Sequence, residues 1–346
     1  MQSYVEKTNT GGANRRFAYE LLADSYLKTF QYQKAANYYK LLAGFKEAGA
    51  EEIKSYENSY KLWSALAEVP AQTISFAGDT RLQATRDKAR LMNVPVEINN
   101  QTMDFVFDTG ANLSTITAST AQKLGLKIIE TDVSVGSSTD VSVKSKLGVA
   151  PVLKIGQVTV KNVVFLVLED KSLYFPQINY QINGIIGFPV IEAFREITLT
   201  KKDEVIVPAR SSVGKFEQNM LLDELNPVIL ATYNNRKMSF TLDTGAQTSS
   251  FYQAFFKSQE EEIKKVAKLE KVKMGGAGGF KEVSAYILEN PSLTIAGKQI
   301  ALKKVEVLTE PINEDSRYFY GNLGQDLIRQ FEKMTLNFDS MSIVFE

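Results

Sequence analysis

The 346-residue chain contains no histidine and no cysteine. That excludes Ser-His-Asp triads, thiol nucleophiles, zinc sites built on His or Cys, and disulfides. Charge of one sign is not in excess either. There are 40 basic and 40 acidic residues, and no concentrated basic face is interleaved with aromatics, so nucleic acid is not an expected partner. No apolar run approaches the ~18 residues of a transmembrane helix. The opening MQSYVEKTNTGGANRR lacks the apolar centre of a signal peptide. The expectation from such a start is a cytoplasmic protein, or an exported one whose signal peptide is absent from this sequence, the exported reading being preferred. Composition leaves carboxylate chemistry as the reactive option. With 44% hydrophobic residues, the length suits two or three domains, each with its own core.

One tetrapeptide, Asp-Thr-Gly-Ala, occurs twice, at Asp108 to Ala111 and at Asp243 to Ala246, each time after a short apolar run. The similarity extends outwards. Counting from each Asp, an Asn-Asn pair lies at −9 and −8 (Asn99, Asn100; Asn234, Asn235), Met at −5 (Met103, Met238), Phe at −3 (Phe105, Phe240) and Ser at +6 (Ser114, Ser249). Asn-Asn suits a hairpin turn, and the run after it reads as the strand that delivers the Asp. Further on, Gly184-Ile185-Ile186-Gly187 precedes FPVIEAF and Gly321-Asn322-Leu323-Gly324 precedes QDLIRQF. Gly187 lies 79 residues after Asp108, and Gly324 lies 81 after Asp243. Matching order at matching distances predicts two copies of one lobe, 92–210 and 220–346, joined by a linker at 211–219.

These paired motifs resemble the retropepsin-like and pepsin-like aspartyl proteases, over roughly 255 residues. The resemblance implies a mainly β, bilobal acid-protease fold in which the two Asp-Thr-Gly loops face each other beneath a cleft. It makes Asp108 and Asp243 the catalytic pair, with Thr109 and Thr244 cross-linking the loops. It assigns the Gly187 and Gly324 segments to support beneath them. Gly110 and Gly245 let backbone amides approach the carboxylates where a side chain would crowd them, and Ala111 and Ala246 complete the loops. Met274-Gly275-Gly276-Ala277-Gly278-Gly279-Phe280 resembles the glycine-rich flap hairpin of retroviral proteases. The equivalent stretch of the first lobe, VSVGSSTDVSV, has only Gly136, and neither flap has the Tyr of pepsin-like enzymes.

Two carboxylates sharing a site cannot both ionise cheaply, so the pair holds one proton. The charged member can draw a proton from a water between them while the protonated one polarises the scissile carbonyl. No metal or cofactor is needed. Many pepsin-like enzymes have Ser or Thr after Asp-Thr-Gly, donating to the carboxylate. Ala111 and Ala246 remove that donor from both lobes, which predicts apparent pKa values raised into the mildly acidic range. The expected activity is that of an aspartic endopeptidase acting, as a monomer, on peptides or unfolded polypeptide bound extended across the cleft. Two other readings stay open: a catalytically silent peptide-binding module, and a scaffold that recruits a partner.

Ahead of the lobes, 1–70 reads as a small all-α domain, with apolar and aromatic residues at helical spacing from Ala13 to about Leu66 and breaks at Gly44 and Gly49. Leu22, Ala23, Tyr26, Ala35 and Tyr39 fall at the spacings of a single tetratricopeptide unit, and a helical domain of that kind ahead of the duplicated lobes resembles a bacterial type of aspartyl protease. Such a unit is expected to dock on the lobes, with Trp63 filling its core. Residues 71–91 read as strands or a connector. The run SQEEEIKKVAKLEKVK from Ser258 reads as a solvated helix face.

Overall fold

A computed structural model describes residues 12–136, 143–212, 214, 217–276, 279–312, 316 and 318–346. Three helices come first: α1 (Gly12–Lys28), α2 (Tyr32–Leu42) and α3 (Ala50–Ala65). The small residues Ala23, Ala35 and Ala36 are fully buried, which lets α1 and α2 approach closely. Tyr38 packs between Tyr19 and Tyr26, at centroid distances of 5.5 and 5.7 Å. At the start of α3 the Glu52 carboxylate accepts the Gly49 N–H at 2.8 Å, satisfying one orphan donor of that helix end. Trp63 stacks on Tyr32, but its environment is the seam rather than a purely helical core. It borders a void of about 10 Å³ whose other walls include Leu113, Pro189 and Leu225 from the β region. Among the described residues, no helix is long and apolar enough to cross a membrane.

Six strands of the first β body form a closed ring. Met92–Ile98 pairs with Gln101–Phe107, which pairs in parallel with Gly184–Ile186. That strand runs antiparallel to Ser114–Thr117, itself parallel to Val158–Leu168. Val143–Ile155 then pairs with both Val158–Leu168 and Met92–Ile98 and completes the circuit. The second body repeats the order through its central strands: Asn226–Tyr233, Arg236–Leu242, Gly321–Leu323, Ser250–Phe251 and Lys304–Leu308. Both strands that deliver an Asp leave Asn-Asn turns in which all four residues, Asn99, Asn100, Asn234 and Asn235, have left-handed backbone, as a tight two-residue hairpin requires.

A third sheet joins the two bodies. Its order is Thr80–Gln83, Glu204–Val207, Glu196–Thr200, Lys333–Asn337, Ser342–Phe345, so strands from both ends of the chain lie side by side. Residues 71–91, for which the sequence allows strands or a connector, thus carry three short strands: Thr73–Phe76 on the first body, Thr80–Gln83 in the joining sheet, and Thr85–Arg86 against Met92–Ile98. The charged run from Ser258 is only partly helical. The helix Gln253–Val266 covers its first half, from Ser258 to Val266, and Lys268–Gly276 is a strand paired along its whole length with Gly279–Glu289. Val272 and Met274, two residues apart, point to one apolar cluster. A period of two thus overrides helical charge pairing there.

The helices meet the first body at an edge. α3 packs along Lys127–Val135, the outermost strand of the sheet. Asn58 completes that edge as a strand would: its Nδ2 donates to Ser134 O at 2.6 Å and its Oδ1 accepts from Ser134 N at 3.0 Å. Asn58→Leu is therefore expected to cost no more than about 1 kcal/mol of global stability. It should nevertheless raise amide exchange locally in 127–135, which hydrogen-exchange mass spectrometry would read. Unchanged protection there would show that the helix contact does not hold the edge.

Candidate active site

Each Asp sits where its strand ends and the chain must turn back. Asp108 N donates to Ile186 O at 3.0 Å and Asp243 N donates to Leu323 O at 2.9 Å, so each loop is held from the start by the short glycine-flanked strand beside it. The support goes further in the same pattern. Gly187 N donates to Ser114 Oγ, and Gly324 N to Ser249 Oγ, both at 3.0 Å, which gives the recurring serine of each half its purpose. Phe188 N donates to Ala111 O at 2.8 Å and Gln325 N to Ala246 O at 2.9 Å, so the alanines hold the loops through their backbones. A Cβ on Gly187 would come within 2.7 Å of Ala111 O, and one on Gly324 within 2.8 Å of Ala246 O.

The two loops are tied to each other by their threonines. Thr109 Oγ1 donates to Leu242 O at 2.7 Å and accepts Thr244 N–H at 3.0 Å. Thr244 Oγ1 donates to Phe107 O at 2.8 Å and accepts Thr109 N–H at 3.0 Å. Both threonines are completely buried, so these four bonds are made without competition from water.

Gly110 and Gly245 are required for space, since neither has left-handed backbone. A Cβ on Gly110 would stand 2.5 Å from Asp243 Cγ, and one on Gly245 would stand 2.5 Å from Asp108 Cγ. Each carboxyl therefore lies over the glycine of the opposite loop. Gly110 N donates to Asp108 Oδ1 at 2.8 Å, while Gly245 N and Ala246 N donate to Asp243 Oδ1 at 2.7 and 2.9 Å. Asp108 is pushed well above the ordinary carboxylate range, first by burial and then by the charge and hydrogen bond of Asp243, against the lowering effect of the Gly110 and Gly245 amides. The arrangement can hold one proton between two carboxyls and present both to a third group.

The predicted site residues divide into two sets. Asp108 to Ala111 and Asp243 to Ala246 come together as one constellation. The described flap glycines, Gly136 in the first body and Gly275, Gly276 and Gly279 in the second, lie apart from this constellation, and among the described residues no hydrogen bond joins them to either carboxyl. Gly275 and Gly276 close the strand Lys268–Gly276, with Gly276 paired to Gly279, while Gly278 lies outside the described residues. Gly136 is exposed just beyond Lys127–Val135. One residue of the site is absent from the sequence expectation. Asn322 Nδ2 donates to Asp243 Oδ2 at 3.1 Å. Its position within GNLG, read as an apolar near-pair, hides it. The signal is the single polar residue where the first half has Ile185.

Residues 94–190 match the family model described as aspartyl protease. The match supports membership of an aspartyl protease family, with the protease activity that such a domain suggests, and it spans the first Asp loop and its Gly187 support. No curated protein matches the chain.

Removing the crossing of the loops should be costly. Thr109→Val leaves the Leu242 carbonyl and the Thr244 amide buried and unpaired, and is expected to lower stability by about 2–4 kcal/mol in chemical denaturation. Gly110→Ala places a methyl in the space of the Asp243 carboxyl. Its expected effect is displacement of that carboxyl, seen by crystallography, with less loss of stability than Thr109→Val. An undisplaced Asp243 would show that the loops can part without penalty.

Proposed function

We propose that the chain is a single-chain, bilobal aspartic endopeptidase whose two lobes are copies of one unit. The observation that carries this reading is the reciprocal approach of the carboxyls, each over the other loop's glycine. Such closeness is unfavourable for two charges and is sustained here by buried cross-links and backbone donors. A purely structural pair of loops has no need of it. The elevated proton affinity of Asp108 agrees with a shared proton.

A water between the carboxyls gives its proton to the charged Asp and attacks the scissile carbonyl, whose oxygen takes the proton of the other Asp. The resulting tetrahedral diol collapses as the leaving nitrogen is protonated, and the C–N bond breaks with no covalent enzyme intermediate. The substrate is an extended polypeptide. The hairpins that carry Gly136 and, in the second lobe, Gly275, Gly276 and Gly279 act as its lids, and the helices serve as a docked support rather than as part of the chemistry.

Incubation with a denatured protein from acidic to neutral pH, followed by mass spectrometry of the products, tests the activity. Asp108→Asn and Asp243→Asn should each abolish cleavage, and the double variant should be scarcely worse. Cleavage at a near-parental rate by either single variant would overturn the dyad, and no cleavage by the parent at any pH would favour a peptide-holding module. Stability gives a second measure with a definite sign. A carboxyl whose folded-state pKa is raised contributes stability that is fully present below the unfolded pKa, about 4, and is lost as pH rises through the folded value. Asp108→Asn removes that loss, so the variant should melt above the parent at pH 7 and lose this advantage at pH 3.

A further inference from the structure

The two halves place their dyad residues symmetrically but surround them differently. In the first body the parallel pairing sets Ile185 beside Val106, and both belong to an apolar cluster with Leu168, Leu173 and Ile182. The same pairing in the second body sets Asn322 beside Thr241. These two polar side chains are bonded to each other: Thr241 Oγ1 donates to Asn322 Oδ1 at 2.7 Å. With its Oδ1 engaged in that bond, Asn322 turns Nδ2 toward the dyad and donates to Asp243 Oδ2 at 3.1 Å. The reverse orientation would set two acceptors against each other unless Asp243 held the proton.

Asp243 consequently accepts on both oxygens: Oδ1 from Gly245 and Ala246, Oδ2 from Asn322. Asp108 Oδ1 accepts from Gly110, the Gly245 amide also favours its charged form, and the neighbouring positions of its lobe are apolar, with no side-chain donor among the described residues matching Asn322. Hydrogen bonds to a carboxylate favour the charged form, and apolar surroundings favour the neutral one. We propose that Asn322, oriented by Thr241, is a positioning residue that holds the negative charge of the pair on Asp243 and leaves the shared proton on Asp108. The asymmetry assigns the roles within the proposed peptidase, on which this inference rests: Asp243 takes the proton of the water, and Asp108 donates to the carbonyl oxygen. The raised proton affinity of Asp108 is in the same sense. Asn322 also supplies lobe two with the donor that Ala246 lacks, so the loss of hydroxyl donors after Asp-Thr-Gly is felt mainly by Asp108.

The test compares the parent with Asn322→Leu and with Thr241→Val, which keeps the amide but releases its orientation. Two readouts are needed: the rate of peptide cleavage against pH, and the carboxyl carbon-13 NMR titration of the dyad in protein labelled at aspartate, assigned with Asp108→Asn and Asp243→Asn. In Asn322→Leu the lower titration step and the acidic limb of the rate profile should move up by about one pH unit, with the upper step nearly in place. Thr241→Val should move them the same way by less. Grafting the polar pair onto the first lobe, with Val106→Thr and Ile185→Asn together, should instead lower the upper step, because the doubly charged dyad then gains a donor. An unmoved lower step in folded Asn322→Leu and Thr241→Val overturns the proposal. A downward movement also overturns it, since it would mean that the Asn322 amide oxygen accepts a hydrogen bond from protonated Asp243. Should Asn322→Leu fail to fold, Thr241→Val decides alone. A parent that cleaves nothing defeats the peptidase reading, while the NMR titration still judges Asn322.

Discussion

Two loops from opposite halves of the chain approach so closely that one methyl group on either glycine would occupy the space of the facing carboxyl. The surrounding architecture supports that approach. The crossed threonine bonds bind loop to loop, the glycine-flanked strands bind each loop to its own sheet, and the joining sheet pairs Glu196–Thr200 of one half with Lys333–Asn337 of the other. A break at any of these levels would let the carboxyls relax apart, because their mutual repulsion acts against the fold wherever both are charged.

Symmetry of backbone and asymmetry of side chains have separate tasks here. The repeated strand order creates two equivalent Asp positions, which is sufficient to bring the carboxyls together. It does not decide which of them is charged. That choice follows from the residues lining each position, apolar Val106 and Ile185 on one side and the bonded Thr241 and Asn322 on the other. A dyad built from identical halves would have to break its symmetry through the substrate. This one has broken it in the protein.

The helices are joined to the lobes more firmly than a tethered module would be. Residues of α1 to α3, of both β bodies and of the joining sheet form one continuous apolar cluster. Asn58 extends the edge of the strand that leads to Gly136, so the helical region is in contact with the base of one proposed lid. An unprotected edge strand invites pairing with another chain, and a helix laid along it prevents that.

Much of the site was legible in the sequence because its determinants are local and repeated. Asp-Thr-Gly-Ala twice and Asn-Asn nine residues before each Asp describe backbone events within one hairpin or turn, and turn chemistry is encoded in the residues that make it, while the serine six residues on is legible only because it recurs, its bond to Gly187 or Gly324 being made more than 70 residues away. Composition alone removed histidine and cysteine chemistry. Three things required the tertiary structure. Whether Leu269 to Met274 continues a helix or forms a strand depended on the facing strand Gly279–Glu289, since a charged run with apolar residues satisfies either period until a partner is present. The position of Trp63, at the seam rather than within the helices, depended on residues more than 40 positions away. The role of Asn322 depended on its hydrogen bonds to Thr241 and Asp243, 81 and 79 residues distant, and no local pattern records a hydrogen bond made across that length of chain.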